Sequence, residues 1–274
     1  MIMEKYKVNL HLLENCNYKC KHCFAKFDSH KILRFYEWKQ IIDNCVMSTV
    51  DIQGFNLAGG EPLLHPDIDK IAVYIKSMNL FCSIITNGLL MDEKWIKNNV
   101  KYYDVIGFSI DSFEPKTIID LGRKNIKNEY LTKERFLYLC DLIRKYNPNC
   151  KIKVNTVVNK LNKDEVMYEF INQADVDRWK IIKMRPFKNE EFSNLNLDIS
   201  REEYDKFVKN NERGQNIVKE VTVRASYIII DANGFLIDNS RGYTHKLVND
   251  CSRGKFVEGF NELVFDKELY FSRY

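Results

Sequence analysis

Short apolar, β-branched runs alternate with stretches of helical periodicity along most of the chain, and this alternation predicts its elements. Strands are predicted over residues 7–13, 54–57, 81–85, 105–110, 151–157 and 180–184. Helices are predicted over 35–48, 66–78, 92–99, 132–146, 163–173 and 201–212. In the 132–146 helix, Phe136, Leu139, Cys140 and Ile143 recur at the three-and-four spacing of a buried stripe. Asn162 with Glu165, and Ser200 with Glu203, have the spacing of capping boxes at two helix starts. Strand–helix alternation repeated six times predicts an α/β fold with a parallel sheet covered by helices. A partial (β/α)6 barrel suits six units better than a doubly wound sheet, because several strands carry polar residues on one face. The pattern changes near the C-terminus. Strands are expected over 221–223, 227–230 and 235–237, around an Asp231-Ala232-Asn233-Gly234 hairpin turn. The organisation expected is a core barrel over 1–215 and a C-terminal extension over 216–274, folded as one globular unit.

Composition narrows the class. Of 274 residues 45% are hydrophobic, enough for a large core, yet no run approaches the ~18 apolar residues of a membrane span. The first residues lack the apolar core of a signal peptide, so a cytoplasmic chain is expected, with its eight cysteines present as thiols or metal ligands instead of disulfides. The net charge of +4 is the balance of 42 basic and 38 acidic residues, without the basic stripe of a nucleic-acid binder. No nucleic-acid partner and no membrane partner are expected.

The chemistry-bearing residues begin with Cys16, Cys20 and Cys23, a CxxxCxxC array just after the first strand. Three cysteines are one short of a closed site. They would hold an iron–sulfur cluster with one iron open to a chelating ligand. The competing reading is a structural zinc site that adds His22, but the other five cysteines are scattered and form no second hook. The second strand ends in Ala58-Gly59-Gly60-Glu61-Pro62, where paired glycines allow a ligand to approach the backbone closely. Thr86-Asn87-Gly88 follows the third strand, Ser109-Ile110-Asp111-Ser112 ends the fourth, and Gly122-Arg123 supplies a cation. C-terminal strand ends are where parallel barrels place their active sites.

Strand alternation puts Lys153, Asn155 and Val157 on one face, with Arg178 and Lys180 together on the next strand. Cations gathered on an inward face call for an anionic partner, and a triphosphate fits, unless these side chains are solvated or salt-bridged.

Taken together these motifs resemble the radical S-adenosylmethionine (SAM) superfamily, and within it the viperins, antiviral nucleotide dehydratases. The resemblance rests on Cys16–Phe24, Ala58–Pro62, Asn87-Gly88, Asp111–Phe113, Gly122-Arg123, Lys153–Asn155, Arg178–Lys180, Ser226–Ile229 and Phe265–Arg273, and so spans about residues 7–273. It implies one [4Fe–4S] cluster on Cys16, Cys20 and Cys23. It also implies SAM held by Gly59, Gly60 and Glu61 at its amino group, by Arg123 at its carboxylate, and by Thr86, Asn87, Ser109 and Val157. The implied substrate is a ribonucleoside triphosphate, CTP first and UTP or GTP next, bound by Lys153, Asn155, Arg178 and Lys180. Asn9 would lie near the base or sugar, Tyr227 near the ribose, and Lys246, or alternatively Arg241, on the phosphates. The implied reaction removes the ribose 4′ hydrogen with the radical derived from SAM. The 3′-hydroxyl then leaves with a proton from Lys153, or else Tyr227, and reduction gives the 3′-deoxy-3′,4′-didehydro nucleotide, a chain terminator. A flavodoxin- or ferredoxin-type electron donor and a monomeric enzyme complete the expectation.

The chain departs from the family at His22, where an aromatic residue is usual, and at Lys124-Asn125, where Gly-Gln is usual. It also shows neither the membrane-associating N-terminal helix nor the aromatic C-terminal tail of the animal proteins, so a microbial-type member is expected. Two other readings stay open from the residues alone: a radical SAM enzyme for another nucleotide or small substrate, and a non-catalytic zinc- or cluster-binding module.

Overall fold

A computed structural model describes residues 5–23, 25, 31–190, 192–240 and 245–272. In chain order the elements are β1 (Tyr6–His11), α1 (Phe35–Val46), β2 (Ile52–Ala58), α2 (Ile68–Ser77), β3 (Phe81–Thr86), α3 (Glu93–Asn99), β4 (Val105–Ser109), α4 (Pro115–Asp120), α5 (Lys133–Tyr146), β5 (Lys151–Val158), α6 (Tyr168–Gln173), β6 (Arg178–Lys183), α7 (Arg201–Asn210), β7 (Ile217–Glu220), β8 (Ile228–Ile230), β9 (Phe235–Asp238), β10 (Lys246–Asp250), α8 (Phe256–Glu262) and α9 (Lys267–Phe271). The six predicted strand–helix units are all present.

Two compact units make up the chain, one of residues 1–16, 25–85 and 224–274, the other of 17–24 and 86–223. In the first, the strand order is β10-β9-β8-β1-β2-β3. β8, β1, β2 and β3 run parallel, while β9 and β10 fold back antiparallel. Trp38, Ile41, Ile42 and Cys45 of α1 are fully buried, as are Leu10 and Phe55 of the strands. In the second unit β4-β5-β6-β7 form a wholly parallel ladder. The stripe on α5 is buried as its periodicity predicts, with Thr132 accepting the Arg135 N–H as N-cap. Ser200 and Glu203 form the expected capping box on α7.

The structure corrects several boundaries. Residues 221–223 are not a strand; the strand lies earlier, at β7. The Asn162–Glu165 capping box does not form, and α6 begins only at Tyr168. The Asn162 side chain instead donates to the carbonyls of Asp111 (2.7 Å) and Val157 (3.0 Å). The Asn233-Gly234 turn is as predicted: Gly234 has φ +87, and Asp231 Oδ1 accepts the Phe235 N–H, joining β8 to β9. Sequence periodicity did not predict α4, β10, α8 or α9. No helix among the described residues is long and apolar enough to cross a membrane.

Candidate functional site

In the first unit the end of β1 runs against the turn after β2. Gly60 N–H donates to Leu13 O (2.7 Å) and Glu61 N–H to Asn15 O (2.9 Å). A Cβ on Gly59 would lie 2.4 Å from Leu13 O, and one on Gly60 2.2 Å from Asn15 O. The two glycines are therefore required by the approach of residues 13–15, the segment that leads into Cys16, and Gly59 also needs its φ of +138. The Glu61 carboxylate accepts the Leu63 N–H, closing the turn that follows.

Asn9 sits in a polar ladder on one face of the strands. It donates to Ile228 O (3.1 Å) and accepts from Asn56 (2.7 Å), whose own oxygen accepts from Ser83 (2.8 Å). Neither Asn56 nor Ser83 was singled out from the sequence, although both fall at alternate positions of their strands. Tyr227 is half-buried at the start of β8. Lys246 opens β10, opposite Asp238, with an exposed side chain and with β9 and β8 between it and β1. Arg241 lies outside the described residues.

In the second unit the cysteine loop is held at several points. The Asn87 amide donates to Asn17 (2.7 Å), Leu131 N–H to the Tyr18 hydroxyl (3.2 Å), and Lys19 and Lys21 N–H to the carbonyls of Gly122 and Leu121. His22 Nε2 lies 2.9 Å from Asp111 Oδ2. The same carboxylate oxygen accepts from Arg123 (2.7 Å), and Val157 N–H donates to the other oxygen (2.7 Å). Arg123 also donates to Ser109 O and stands 3.9 Å from Cys20 Sγ. Burial alone would raise the Asp111 carboxyl, but Arg123 and His22 beside it outweigh that and hold it at about 2. Thr86 Oγ1 accepts the Gly88 N–H within its turn. A shallow cleft is lined by Tyr18, Asn87, Ser109, Arg123 and Tyr130, among others. Three side chains expected to touch SAM thus border one cleft. Arg123, expected at a carboxylate of SAM, meets the carboxylate of Asp111 here.

The cation pair falls as alternation predicts. Lys153 is opposite Arg178 and Asn155 opposite Lys180 in the β5–β6 register. Asn155 Oδ1 is buried with no hydrogen-bond partner among the described residues. Lys180 forms an ion pair with Glu220 of β7, both buried. The sequence reading missed Glu220; its one signal is an acid in the otherwise strand-like Ile217–Glu220.

The thiols distinguish themselves by reach. Cys16, Cys20 and Cys23 are partly exposed, while the other five cysteines are buried. Burial pushes Cys45 up, and pushes Cys140, Cys150 and Cys251 up to about 12, which keeps those thiols protonated and inert. The accessible triplet, one member beside a guanidinium, fits a thiolate-ligated iron–sulfur group. Among the described residues no group of three or more His, Cys, Asp or Glu, the cysteine triplet included, is gathered closely enough to hold a metal ion.

Residues 10–173 match the model of the radical SAM superfamily. An S-adenosylmethionine-dependent nucleotide dehydratase of Selenomonas ruminantium is 39% identical over 98% of both chains. One from Psychrobacter lutiphocae is 33% identical over 97% of this chain and 94% of its own. Among solved structures, native anSMEcpe with bound AdoMet and Cp18Cys peptide aligns with a TM-score of 0.71 at 19% identity, covering 98% of this chain and 82% of that one. That likeness shows the fold, a partial strand–helix barrel; the superfamily rests on the match over residues 10–173.

Proposed function

The chain belongs to the radical SAM superfamily and, within it, to the S-adenosylmethionine-dependent nucleotide dehydratases (viperins), and from that premise we propose that its substrate is a ribonucleoside triphosphate, with CTP first and UTP or GTP next. It is a radical SAM enzyme acting on a nucleotide, with SAM and an iron–sulfur cluster as its cofactors. The proposed product is the 3′-deoxy-3′,4′-didehydro nucleotide, formed by loss of water, which would terminate chains made by a viral polymerase. The observation that carries this reading is the β5–β6 register, which sets Lys153 beside Arg178 and Asn155 beside Lys180. Such a group supplies charge-assisted donors for a triphosphate. Lys180 is paired with Glu220, so an incoming phosphate would share that lysine with the carboxylate.

Bound through Cys16, Cys20 and Cys23, a [4Fe–4S] cluster would supply reductive cleavage of SAM and the radical that takes the ribose hydrogen. Gly59, Gly60 and Glu61 would receive SAM's amino group, and Thr86, Asn87, Ser109, Arg123 and Val157 the rest of it. Asn9, with its amide fixed by Asn56 and Ile228, would orient the base or sugar. Lys153 is the proposed proton donor to the departing 3′-hydroxyl, with Tyr227 the alternative. Residues 216–274 are proposed to complete the nucleotide contacts, with Lys246 on the phosphates. A flavodoxin- or ferredoxin-type protein would supply electrons to a cytoplasmic monomer.

Anaerobic turnover of the reconstituted enzyme with SAM and each of the four nucleoside triphosphates tests the proposal. Mass spectrometry should find loss of water from one of them, together with 5′-deoxyadenosine. If SAM is cleaved and no triphosphate is dehydrated, the substrate assignment fails.

A further inference from the structure

We propose that Asp111 is a positioning residue for the cysteine loop, its carboxylate tying His22 within the loop and Arg123 beside Cys20 to the end of β5. This rests on Cys20 and Cys23 being cluster ligands. Both carboxylate oxygens are engaged, Oδ2 by His22 (2.9 Å) and Arg123 (2.7 Å) and Oδ1 by Val157 N–H (2.7 Å). Asp111 is 1% exposed, His22 6% and Arg123 8%, so water does not replace these contacts. The Asp111 backbone is fixed as well, since its carbonyl accepts from the buried Asn162 amide.

Residues 17–23 have no regular secondary structure, yet they carry two thiols that must face one cluster. Ordering such a loop costs conformational entropy at every residue, and tethers from rigid strand ends offset it. The backbone tethers at Lys19 and Lys21 stop short of Cys23. His22 lies next to that cysteine and reaches Asp111, while its carbonyl accepts from the buried Asn194 amide (3.1 Å). Arg123 brings an N–H to 3.9 Å from Cys20 Sγ, and its orientation toward that sulfur is set by the same carboxylate. Hydrogen bonds and charge near a ligating sulfur set the reduction potential of an iron–sulfur cluster. One carboxylate therefore governs both the geometry of the loop and the charge beside Cys20. An apolar side chain at position 22 could make no such contact, so the latch depends on the histidine there.

The test uses the full chain with two variants. Asp111→Asn keeps the shape and removes the charge; His22→Phe removes only the contact from the loop and leaves the Asp111–Arg123 pair intact. Hydrogen exchange of the cluster-free protein should speed up in residues 17–23, on the order of a hundredfold for Asp111→Asn and about tenfold for His22→Phe. Exchange in β2 and α7 should be unchanged. After anaerobic reconstitution both variants should bind less iron per chain. The cluster midpoint potential of Asp111→Asn should move positive, because a negative charge near Cys20 is lost while Arg123 remains. Unchanged loop exchange in both variants overturns the proposal, as does an equal rise across the whole chain, which marks a core residue only. If Asp111→Asn does not fold, His22→Phe decides alone. Failure of the wild-type chain to bind iron would refute the cluster reading, while loop exchange would still decide the role of Asp111.

Discussion

Lys180 and Glu220 are both buried, and an ion pair with so little water around it behaves differently from a surface one. Its two charges were desolvated on folding, so the pair adds little net stability, but removing one member leaves the other uncompensated. Lys180→Met should therefore destabilise the protein by about 3–5 kcal/mol, and Lys180→Met with Glu220→Met should recover most of that loss in urea titrations. The double variant also separates structure from binding. If Lys180 contributes to the phosphate site, the stable double variant still binds nucleotide more weakly than wild type. Strand alternation made the shared face of Lys153, Asn155, Arg178 and Lys180 legible in the sequence, because that pattern is local. Glu220 was not legible, since its pairing with Lys180 depends on which strand lies beside β6. The glycines of the Gly59-Gly60 turn were legible as a special site, but what crowds them is the backbone of residues 13–15, a contact no single segment reveals.

At the scale of elements, sequence patterns succeed where a cap or a period is self-contained, and fail where another segment takes over the polar groups. The Ser200–Glu203 box forms as written. The Asn162–Glu165 box does not, because Asn162 is drawn to the carbonyls of Asp111 and Val157, and the Glu165 carboxylate accepts from Ser112. The start of α6 is instead capped by Asn211, just past the end of α7, whose oxygen accepts from Met167 N–H (2.6 Å) and Tyr168 N–H (3.1 Å). Asn211 is fully buried, so Asn211→Ala strands those donors away from water. A loss of about 2–3 kcal/mol is expected, read as a lowered urea midpoint, with the amides of α6 exchanging first. The strand β1 carries a second prediction, in pH. Burial, with His245 adding to it, lowers the His11 imidazole to about 3. In the unfolded chain the same group titrates near its usual ~6.5. Between those values the unfolded state holds the extra proton, so stability should fall as pH drops below about 6.5 and level off near 3. The slope contributed is about 1.4 kcal/mol per pH unit. Urea midpoints at pH 7, 5.5 and 4.5 should show the decline, and His11→Gln should flatten it. Asp111 acts in a separate window, losing its contribution only as pH falls from ~3.8 towards about 2.

For the whole molecule, the order of strands in space differs from their order in sequence, and that changes what the C-terminal segment does. Six strand–helix units were readable from periodicity, and they suggested a core ending near residue 215 with an extension after it. The short C-terminal elements escaped because they depend on remote partners: Tyr6 of β1 packs against Phe260, Phe265, Tyr270 and Phe271. The Tyr270 hydroxyl accepts the Lys7 N–H (2.6 Å). β8 pairs in parallel with β1, with Asn9 opposite Ile229, so β1 is an interior strand only because residues beyond 215 cover its other side. Within the second unit the same segment supplies β7 and with it Glu220, the counter-ion of Lys180. A chain ending at residue 215 would thus expose the backbone edge of β1, uncover Tyr6, and strand a buried lysine. Open edges of this kind template association between chains. The truncated protein should elute as aggregate in size-exclusion chromatography and lack a cooperative thermal transition, even with SAM added. A monomeric 1–215 fragment with a sharp transition would instead make the C-terminal segment an appendage, and the contacts of β8 with β1 dispensable for folding.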